Sequence, residues 1–323
     1  MSAQNASRLG WIGLGSMGLA MATNIQKHLN ENEAAPLRYF NRTISRGEAL
    51  KEIGGVPGDS IAKLTNECDI IFISVSNDEV AKSVINDILA SDLTSPKIIV
   101  DTTTVHPDTS ASLSEQVLSA DHSYVAAPVF GAKPVAEAGQ LLVAVAGQDS
   151  AVEAITPYLQ GVLARSVIRV GTDPSKALLL KTTSNFLTAG MMYLVSEAHT
   201  LAEKSGLSTS VLESLIEQNF GAYAGGVSKR MTQGVYFPAQ GEGPYSDLDL
   251  GIKDVGHGLG IARDNDMTLE VGELSMRAME KAREYGVERG RKLDSSSVYG
   301  AVRLNAGLEF ENDTVKRRDV EKR

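Results

Sequence analysis

Three glycines follow a short apolar stretch near the start of the chain in the spacing G-x-G-x-x-G, and this spacing constrains the fold more than any other feature. The stretch Leu9–Gly13 predicts a buried strand, and Leu19–Leu29 predicts a helix after it. In that order, Gly13 permits a tight turn, Gly15 lets the backbone approach a pyrophosphate, and Gly18 allows the helix to pack closely on the sheet. The helix N-terminus then faces the phosphates. The sequence therefore predicts a dinucleotide-binding domain, with an ordinary glycine-rich turn as the alternative.

Length and composition favour a two-domain globular protein. The chain has 323 residues, of which 42% are hydrophobic, and it shows no apolar run of the roughly 18 residues that would indicate a membrane span. A net charge of −9 argues against nucleic acid as a partner. The segment Met1–Arg8 lacks the apolar core of a secretory signal, and the single cysteine, Cys68, excludes an internal disulfide. We interpret Cys68 as a buried structural thiol and expect a cytoplasmic location.

Short β-branched runs alternate with helical patterns such as Ser45–Ile53 and Val80–Leu89 in the first half of the chain. This alternation predicts an α/β fold with a doubly wound Rossmann sheet, parallel and covered on both faces. The candidate strands are Leu9–Gly13, Leu37–Asn41, Ile70–Val75, Ile98–Asp101, Tyr124–Ala127, Leu141–Ala146 and Val167–Val170.

The pattern changes near residue 171. Asp173 and Pro174 predict the start of a helix over Pro174–Ser205, and Gly206 marks its end. After it the chain reads as helical, although ten glycines in 221–260 weaken the prediction of a long helix there. We expect a dinucleotide-binding domain over 1–170, an all-helical substrate and oligomerisation domain over 171–310, and a solvated or disordered tail over 311–323.

The end of the second strand indicates which dinucleotide binds. A Rossmann domain usually carries Asp or Glu there, and that carboxylate repels a 2′-phosphate. Here Asn41 is neutral, and Arg42, Thr43 and Arg46 offer two guanidinium groups and a hydroxyl to a phosphate. The sequence favours NADP over NAD, with a solvated basic turn as the alternative.

Two later strands end in residues suited to a ligand crevice. Asp101–Pro107 includes Thr103 and Thr104, whose hydroxyls can reach substrate or nicotinamide at the carboxyl ends of the strands. Ala127–Ala132 leaves the next strand, and its small residues let backbone amides approach an anion. The threonines fit a helix-capping role as well.

Lys181 and Asn185 are four residues apart on the predicted long helix and therefore share a face. A lysine in an apolar crevice near a second cation has a lowered pKa, and such a group gives a proton to a carbonyl oxygen as hydride arrives. Leu178–Leu180 and the uncharged residues after Lys181 favour this interpretation over a solvated surface lysine. Lys253 is a candidate second cation. The histidines and carboxylates form no metal-ligand pattern.

These residues, in their order along the chain, resemble the β-hydroxyacid dehydrogenase family, and the resemblance covers nearly the whole chain. The family motif G-L-G-x-M-G corresponds to Gly13, Leu14, Gly15, Ser16, Met17 and Gly18, and D-x-S-T-x-x-P corresponds to Asp101–Pro107, with Thr103 in place of the serine. The motif K-x-x-x-N corresponds to Lys181 and Asn185, and K-D-L corresponds to Lys253–Val255. Asn41–Thr43 resembles the NADP-using branch of glyoxylate/succinic semialdehyde reductases.

The resemblance implies a 3-hydroxyisobutyrate dehydrogenase-like enzyme with a Rossmann domain and a helical domain that supports homodimers or homotetramers. It implies that Lys181 is the acid/base, and that a small molecule with a hydroxyl or carbonyl group is the substrate. It also implies cofactor contacts from the glycine loop, Thr104, Lys253 and the residues Val75, Ser76 and Asn77.

One motif departs from the family. The family's A-P-V-S-G-G, whose serine and glycines hold the substrate carboxylate, is Ala127–Ala132 here, with Phe130 at the serine position. Phe130 has no hydrogen-bond donor, so carboxylate anchoring falls to Thr103 and the amides of Gly131 and Ala132. We therefore hypothesise a larger or more apolar carbonyl substrate.

Two alternative functions share this scaffold. Imine reductases resemble it but usually carry Asp or Tyr where this chain has Lys181. A non-catalytic nucleotide-sensing module typically loses that lysine. An NADPH oxidation assay with carbonyl and imine panels distinguishes the three.

Overall fold

The first half of the chain forms one nine-stranded sheet in the computed structural model, which describes residues 7–91 and 93–321. The strand order is β3-β2-β1-β4-β5-β6-β8-β7, and β9 pairs with β8. The strands are β1 (Leu9–Ile12), β2 (Arg38–Phe40), β3 (Val56–Pro57), β4 (Ile70–Ile73), β5 (Ile98–Asp101), β6 (Ser123–Ala126), β7 (Val129–Phe130), β8 (Leu141–Gly147) and β9 (Ala164–Gly171).

Helices cover both faces of this sheet, which explains why its central strands are mostly apolar. Trp11 and Phe72 stack with ring centroids 5.4 Å apart in one buried cluster, whereas Ile71 and Ile73 belong to a second one. Successive side chains of a strand point to opposite faces, so both sets need cover. The helices are α1 (Ser16–Glu31), α2 (Glu48–Glu52), α3 (Ile61–Glu67), α4 (Asp78–Leu89), α5 (Pro107–Ser119), α6 (Lys133–Glu137) and α7 (Asp149–Leu159).

The alternation predicted a parallel sheet, but the sheet is not parallel throughout. β8 runs antiparallel to β6 and to β7. Only residues 131–140, with the five-residue α6, join β7 to β8, and a parallel crossover needs a dozen or more residues. The connection therefore turns the chain back, and β3 and β7 are short strands that the sequence did not predict.

The predicted long helix is present with the predicted bounds. Asp173 Oδ1 accepts hydrogen bonds from the amide and hydroxyl of Ser175, and Gly206 has φ +77° after the last turn. The helical elements from here on are α8 (Pro174–Ser205), α9 (Thr209–Thr232), α10 (Leu248–Asp264), α11 (Glu270–Glu288), α12 (Val298–Asn305) and α13 (Asp313–Glu321). The glycine-rich segment is mostly helical, with a kink at Gly221 in α9.

The chain divides into two compact units, Met1–Lys181 and Thr182–Arg323, so the division falls inside α8 and eleven residues after the predicted boundary. The second unit has its own apolar core, to which α8–α12 all contribute. Within the described residues, no helix is both long and apolar enough to cross a membrane.

The end of the chain is not the disordered tail that its mixed charges suggested. α13 buries Val315, and Arg318 on the same face donates hydrogen bonds to the carbonyls of Gly234 (3.1 Å) and Phe237 (2.8 Å). One apolar residue and one well-placed guanidinium are enough to dock this helix, although most of its other side chains remain solvated. Residues 322 and 323 lie outside the described part of the chain.

Candidate active site

Gly13 and Gly18 are required by the fold of the turn between β1 and α1. Gly13 has φ +99°, and a Cβ there would lie 2.2 Å from the Ser74 carbonyl oxygen. A Cβ on Gly18 would lie 2.2 Å from the Gly13 oxygen, so only glycine lets α1 approach the turn this closely. At Gly15, by contrast, a Cβ would have no neighbour within 4 Å. The fold does not require glycine at this position, which therefore suits the approach of a ligand.

The N-terminus of α1 has the features of an anion site. Gly15 is the N-cap and provides no side-chain cap, and the first turn contains no acidic residue. The side chains at Ser16 and Met17 are exposed and half-buried, respectively. Uncapped amides at a helix N-terminus attract phosphate through hydrogen bonding and the helix dipole. The residues present therefore fit a dinucleotide pyrophosphate.

Asn41, at the end of β2, has a structural role that the sequence did not predict. Its Oδ1 accepts a hydrogen bond from the Leu14 amide at 2.8 Å, and its Nδ2 donates to the Thr43 carbonyl at 2.7 Å. These two bonds tie the glycine turn to the segment after β2. Arg42, Thr43 and Arg46 are exposed around this anchor.

The threonines after β5 point in different directions. Thr102 donates its hydroxyl to the Ile73 carbonyl, and Thr103 Oγ1 accepts from the Val75 amide at 3.2 Å. Thr103 is only 3% exposed, so this side chain holds the loops after β4 and β5 together. Thr104 is half-buried.

The loop after β4 supplies the remaining predicted cofactor residues of the first unit. Val75 is half-buried, whereas Ser76 and Asn77 are exposed. Asn77 is the N-cap of α4, and its Oδ1 accepts from the Val80 amide at 3.0 Å. This cap fixes where the loop ends and where α4 begins.

The sequence analysis placed Asp101 in a motif but did not predict that it is a buried carboxylate that orients these loops. Asp101 accepts from the Thr103 amide at 2.9 Å and from the Tyr124 hydroxyl at 3.0 Å. Burial raises the pKa of Asp101, although these hydrogen bonds oppose the shift. The only sequence signal of this contact was the presence of Asp101 and Tyr124 as polar residues in otherwise apolar strands. Asp101 thus orients Thr103, and through it the loop at Val75.

Lys181 lies against an aromatic ring. Its side chain is half-buried, and Nζ is 5.1 Å from the centroid of the Phe130 ring. This distance is within the range of a cation–π interaction. Phe130 is at the end of β7, and Gly131 follows with φ +138°, where a Cβ would lie 2.8 Å from Leu141. Ala132 is the N-cap residue of α6.

Asn185 follows Lys181 by one turn of α8 and belongs to a polar group in the second unit. Its Nδ2 donates to Asp254 Oδ2 at 2.7 Å, and Lys253 Nζ forms an ion pair with Asp254 Oδ1 at 3.0 Å. Asp254 therefore orients both predicted site residues of this unit. From the sequence, Asp254 was identified only as a neighbour of Lys253, because no local pattern shows that it faces Asn185.

Cys68 has the structural role expected of it. It is fully buried, and burial raises the pKa of its thiol to about 12. A thiol with this pKa carries almost no thiolate near neutral pH and is therefore a poor nucleophile.

The sheet, the glycine turn and the uncapped α1 together define a dinucleotide-binding domain of the Rossmann type, followed by a helical unit. Residues 8–171, slightly more than half of the chain, match the family model of the NAD binding domain of 6-phosphogluconate dehydrogenase. The chain belongs to the β-hydroxyacid dehydrogenase family of NAD(P)-dependent oxidoreductases.

Individual relatives span nearly the full chain. An NADH-dependent oxidoreductase of Aspergillus ustus is 29% identical over 92% of this chain and 100% of its own length. Glyoxylate/succinic semialdehyde reductase 1 of Arabidopsis thaliana is 29% identical over 92% of this chain and 99% of its own. The solved structure of Psf3 in complex with NADP+ and 2-OPP gives a TM-score of 0.78 at 23% identity, covering 91% of this chain and 99% of that one.

Proposed function

We propose that the protein is an NADP-dependent reductase that interconverts a carbonyl compound and its alcohol, with Lys181 as the acid and base. When bound, the reduced nicotinamide supplies the hydride that the carbonyl carbon receives. Lys181 Nζ gives a proton to the carbonyl oxygen and then regains one from solvent, and oxidation of the alcohol reverses both transfers. The observation that carries the proposal is the position of Lys181, which is half-buried with its amine over the Phe130 ring.

The surroundings of Lys181 support a role other than that of a surface charge. A solvated lysine keeps its amine in water, whereas this amine lies against an aromatic face. One turn further along α8, Asn185 is oriented by Asp254 and is suited to hold a reacting oxygen. We also propose that Lys253, which forms an ion pair with Asp254 at 3.0 Å, contacts the cofactor.

The test is NADPH oxidation with a panel of carbonyl compounds and a panel of cyclic imines, using wild type and Lys181→Ala. We expect carbonyl reduction, and a loss of about 10²- to 10⁴-fold in kcat for Lys181→Ala, since a general acid contributes that much. Lys176→Ala is the matched control, because Lys176 is an exposed lysine of the same helix. Full activity of Lys181→Ala, or turnover of imines alone, would refute the mechanism.

We also propose that NADP is preferred over NAD, with the 2′-phosphate bound by Arg42, Thr43 and Arg46. The segment offers no carboxylate to the ribose, and Asn41 is neutral. Within residues 7–91 and 93–321, the guanidinium groups of Arg42 and Arg46 form no hydrogen bond or ion pair, so both are available to a phosphate. Because the Aspergillus ustus relative is NADH-dependent, the preference of this protein for NADPH over NADH has to be measured directly.

Replacing Arg42 by alanine should lower the preference for NADPH over NADH, measured as the ratio of kcat/KM values, by about 10- to 100-fold. A hydrogen bond to a charged group contributes about 1.5–3 kcal/mol, which corresponds to this range. Arg38→Ala is the control, because Arg38 is occupied by an ion pair with Glu67 at 2.9 Å. A wild type that prefers NADH would contradict the proposal.

We further propose that the protein is a homo-oligomer that associates through α8 and α9. Leu187, Leu194 and Leu201 are 62%, 61% and 70% exposed, and their seven-residue spacing puts them on one side of α8. Such a leucine stripe is typical of a helix–helix seam. Phe220 and Tyr223 of α9 are also largely exposed, at 67% and 59%, and large apolar side chains grouped at a surface often mark an interaction site.

A further inference from the structure

The position of Phe130 limits what can surround the reacting carbonyl, provided that Lys181 is the acid proposed above. A carbonyl oxygen that takes a proton from Nζ must lie within about 3.2 Å of it. Because Nζ is 5.1 Å from the centroid of the Phe130 ring, a carbonyl bound on the ring side of the amine has its attached groups within contact distance of the ring. Phe130 is therefore placed to select the substrate.

The ring is held in this place by packing. Phe130 pairs with Leu142 across the β7–β8 ladder. It also packs against the buried cluster that includes Ala144 of β8 and Ala177 and Leu178 of α8. Although Phe130 is half-buried, these contacts favour the ring position beside the amine.

The segment around Phe130 has little to offer a carboxylate. No side chain in Ala127–Ala132 carries a hydrogen-bond donor. The next residue, Lys133, is paired with Glu137 at 3.4 Å, and Thr103 is only 3% exposed, so its hydroxyl is nearly inaccessible to a substrate. Only backbone amides remain in this segment, beside a ring whose face is electronegative and unfavourable to an anion. An uncharged apolar or aromatic group would instead gain buried contact with the ring.

We propose that the substrate carries an uncharged apolar or aromatic group next to its carbonyl, in contact with Phe130, and that neutral alkyl or aryl aldehydes and ketones are reduced in preference to carboxylate-bearing ones. This proposal rests on the reductase function given above. It concerns one subsite of that function, namely the surface next to the carbonyl carbon.

The test compares kcat/KM values, with NADPH as reductant, for succinic semialdehyde, pentanal and 3-phenylpropanal. Pentanal has a similar chain but carries an ethyl group where succinic semialdehyde carries a carboxylate. We expect wild type to favour the two neutral aldehydes by at least about 10-fold, within the range that a single apolar pocket provides. The ratio within one enzyme does not depend on how much of a preparation is folded.

Two variants assign the preference to Phe130. Phe130→Ser should lower the ratio of neutral to charged substrate by about 10-fold or more, whereas Phe130→Leu, which keeps an apolar surface, should retain the direction of the preference. A wild type that favours succinic semialdehyde, or a ratio that Phe130→Ser leaves unchanged, would overturn the inference while the reductase function stands. No turnover of any of the three aldehydes would overturn both.

Discussion

At the scale of single residues, His199 shows how burial couples protonation to stability. It is 1% exposed in α8, its Nε2 is 2.7 Å from the Ser228 hydroxyl, and its ring is edge-on to Tyr299 with centroids 6.3 Å apart. Burial lowers the pKa of His199, with an opposing contribution from the charge of Glu213. The folded protein therefore binds a proton at this site less readily than the unfolded chain does.

This difference predicts a loss of stability in mild acid. As pH falls below the ordinary histidine pKa of about 6.5, the unfolded state takes up a proton that the folded state excludes, so the free energy of unfolding decreases. Between pH 7.5 and 5.5 wild type should lose up to about 1.4 kcal/mol more than His199→Gln, whose side chain does not titrate. Urea unfolding at the two pH values measures this difference, and parallel losses in both proteins would exclude the role of His199.

At the scale of elements, the β1–α1 turn separates glycines that the fold requires from one, Gly15, that the fold does not require. Gly18 is enclosed, since a Cβ would meet the Gly13 oxygen at 2.2 Å, whereas a Cβ on Gly15 would point into open space. The backbone at Gly15, with φ −67° and ψ −178°, is also accessible to alanine. The same substitution at the two positions should therefore have different consequences.

Gly18→Ala should lower the free energy of unfolding by about 1–3 kcal/mol or more, because the methyl group forces α1 away from the turn. Gly15→Ala should change it by less than about 1 kcal/mol, since the weaker N-cap and the lower entropy of the unfolded chain oppose each other. It should nevertheless weaken NADPH binding at least about 10-fold, because the methyl group occupies the path of the pyrophosphate. Thermal unfolding and NADPH fluorescence titration test the pair; equal destabilisation, or unchanged binding by Gly15→Ala, would contradict this division.

The same elements show what the sequence can predict. The bounds of α8 follow from local signals, namely the Asp173 cap and Gly206, and the structure confirms them. The antiparallel β8 follows from a connection too short for a parallel crossover, but the two-residue β7 before it has no strand pattern of its own. The docking of α13 depends on contacts between distant residues, which no local pattern contains. In the candidate site the residue types were predictable, whereas the orienting role of Asp254 depends on a contact with Asn185, 69 residues away.

At the scale of the whole molecule, the second unit exposes large apolar side chains on α8 and α9. The leucine stripe of Leu187, Leu194 and Leu201 spans fifteen residues, with about 21 Å of helix rise between its first and last leucine. Val211 and Leu215 in α9 are also more than half exposed. A stable interface buries about 800 Å² on each partner, with apolar residues at its centre. A stripe on one long helix is self-complementary about a two-fold axis, so a second copy of the chain is the occupant that it fits.

Replacing Leu194 and Leu201 together by glutamate should therefore convert the proposed oligomer to a smaller species, because two charges per chain would be buried without partners in the seam. Size-exclusion chromatography with light scattering measures the mass, and circular dichroism confirms that the variant is folded. Val287→Glu is the control, since Val287 is 73% exposed on α11, outside the stripe, and should leave the mass unchanged. Since both leucines are already solvent-exposed in the single chain, the variant should keep its fold as a monomer. A wild type of monomeric mass, or a variant of unchanged mass, would show that this face does not bind a second copy.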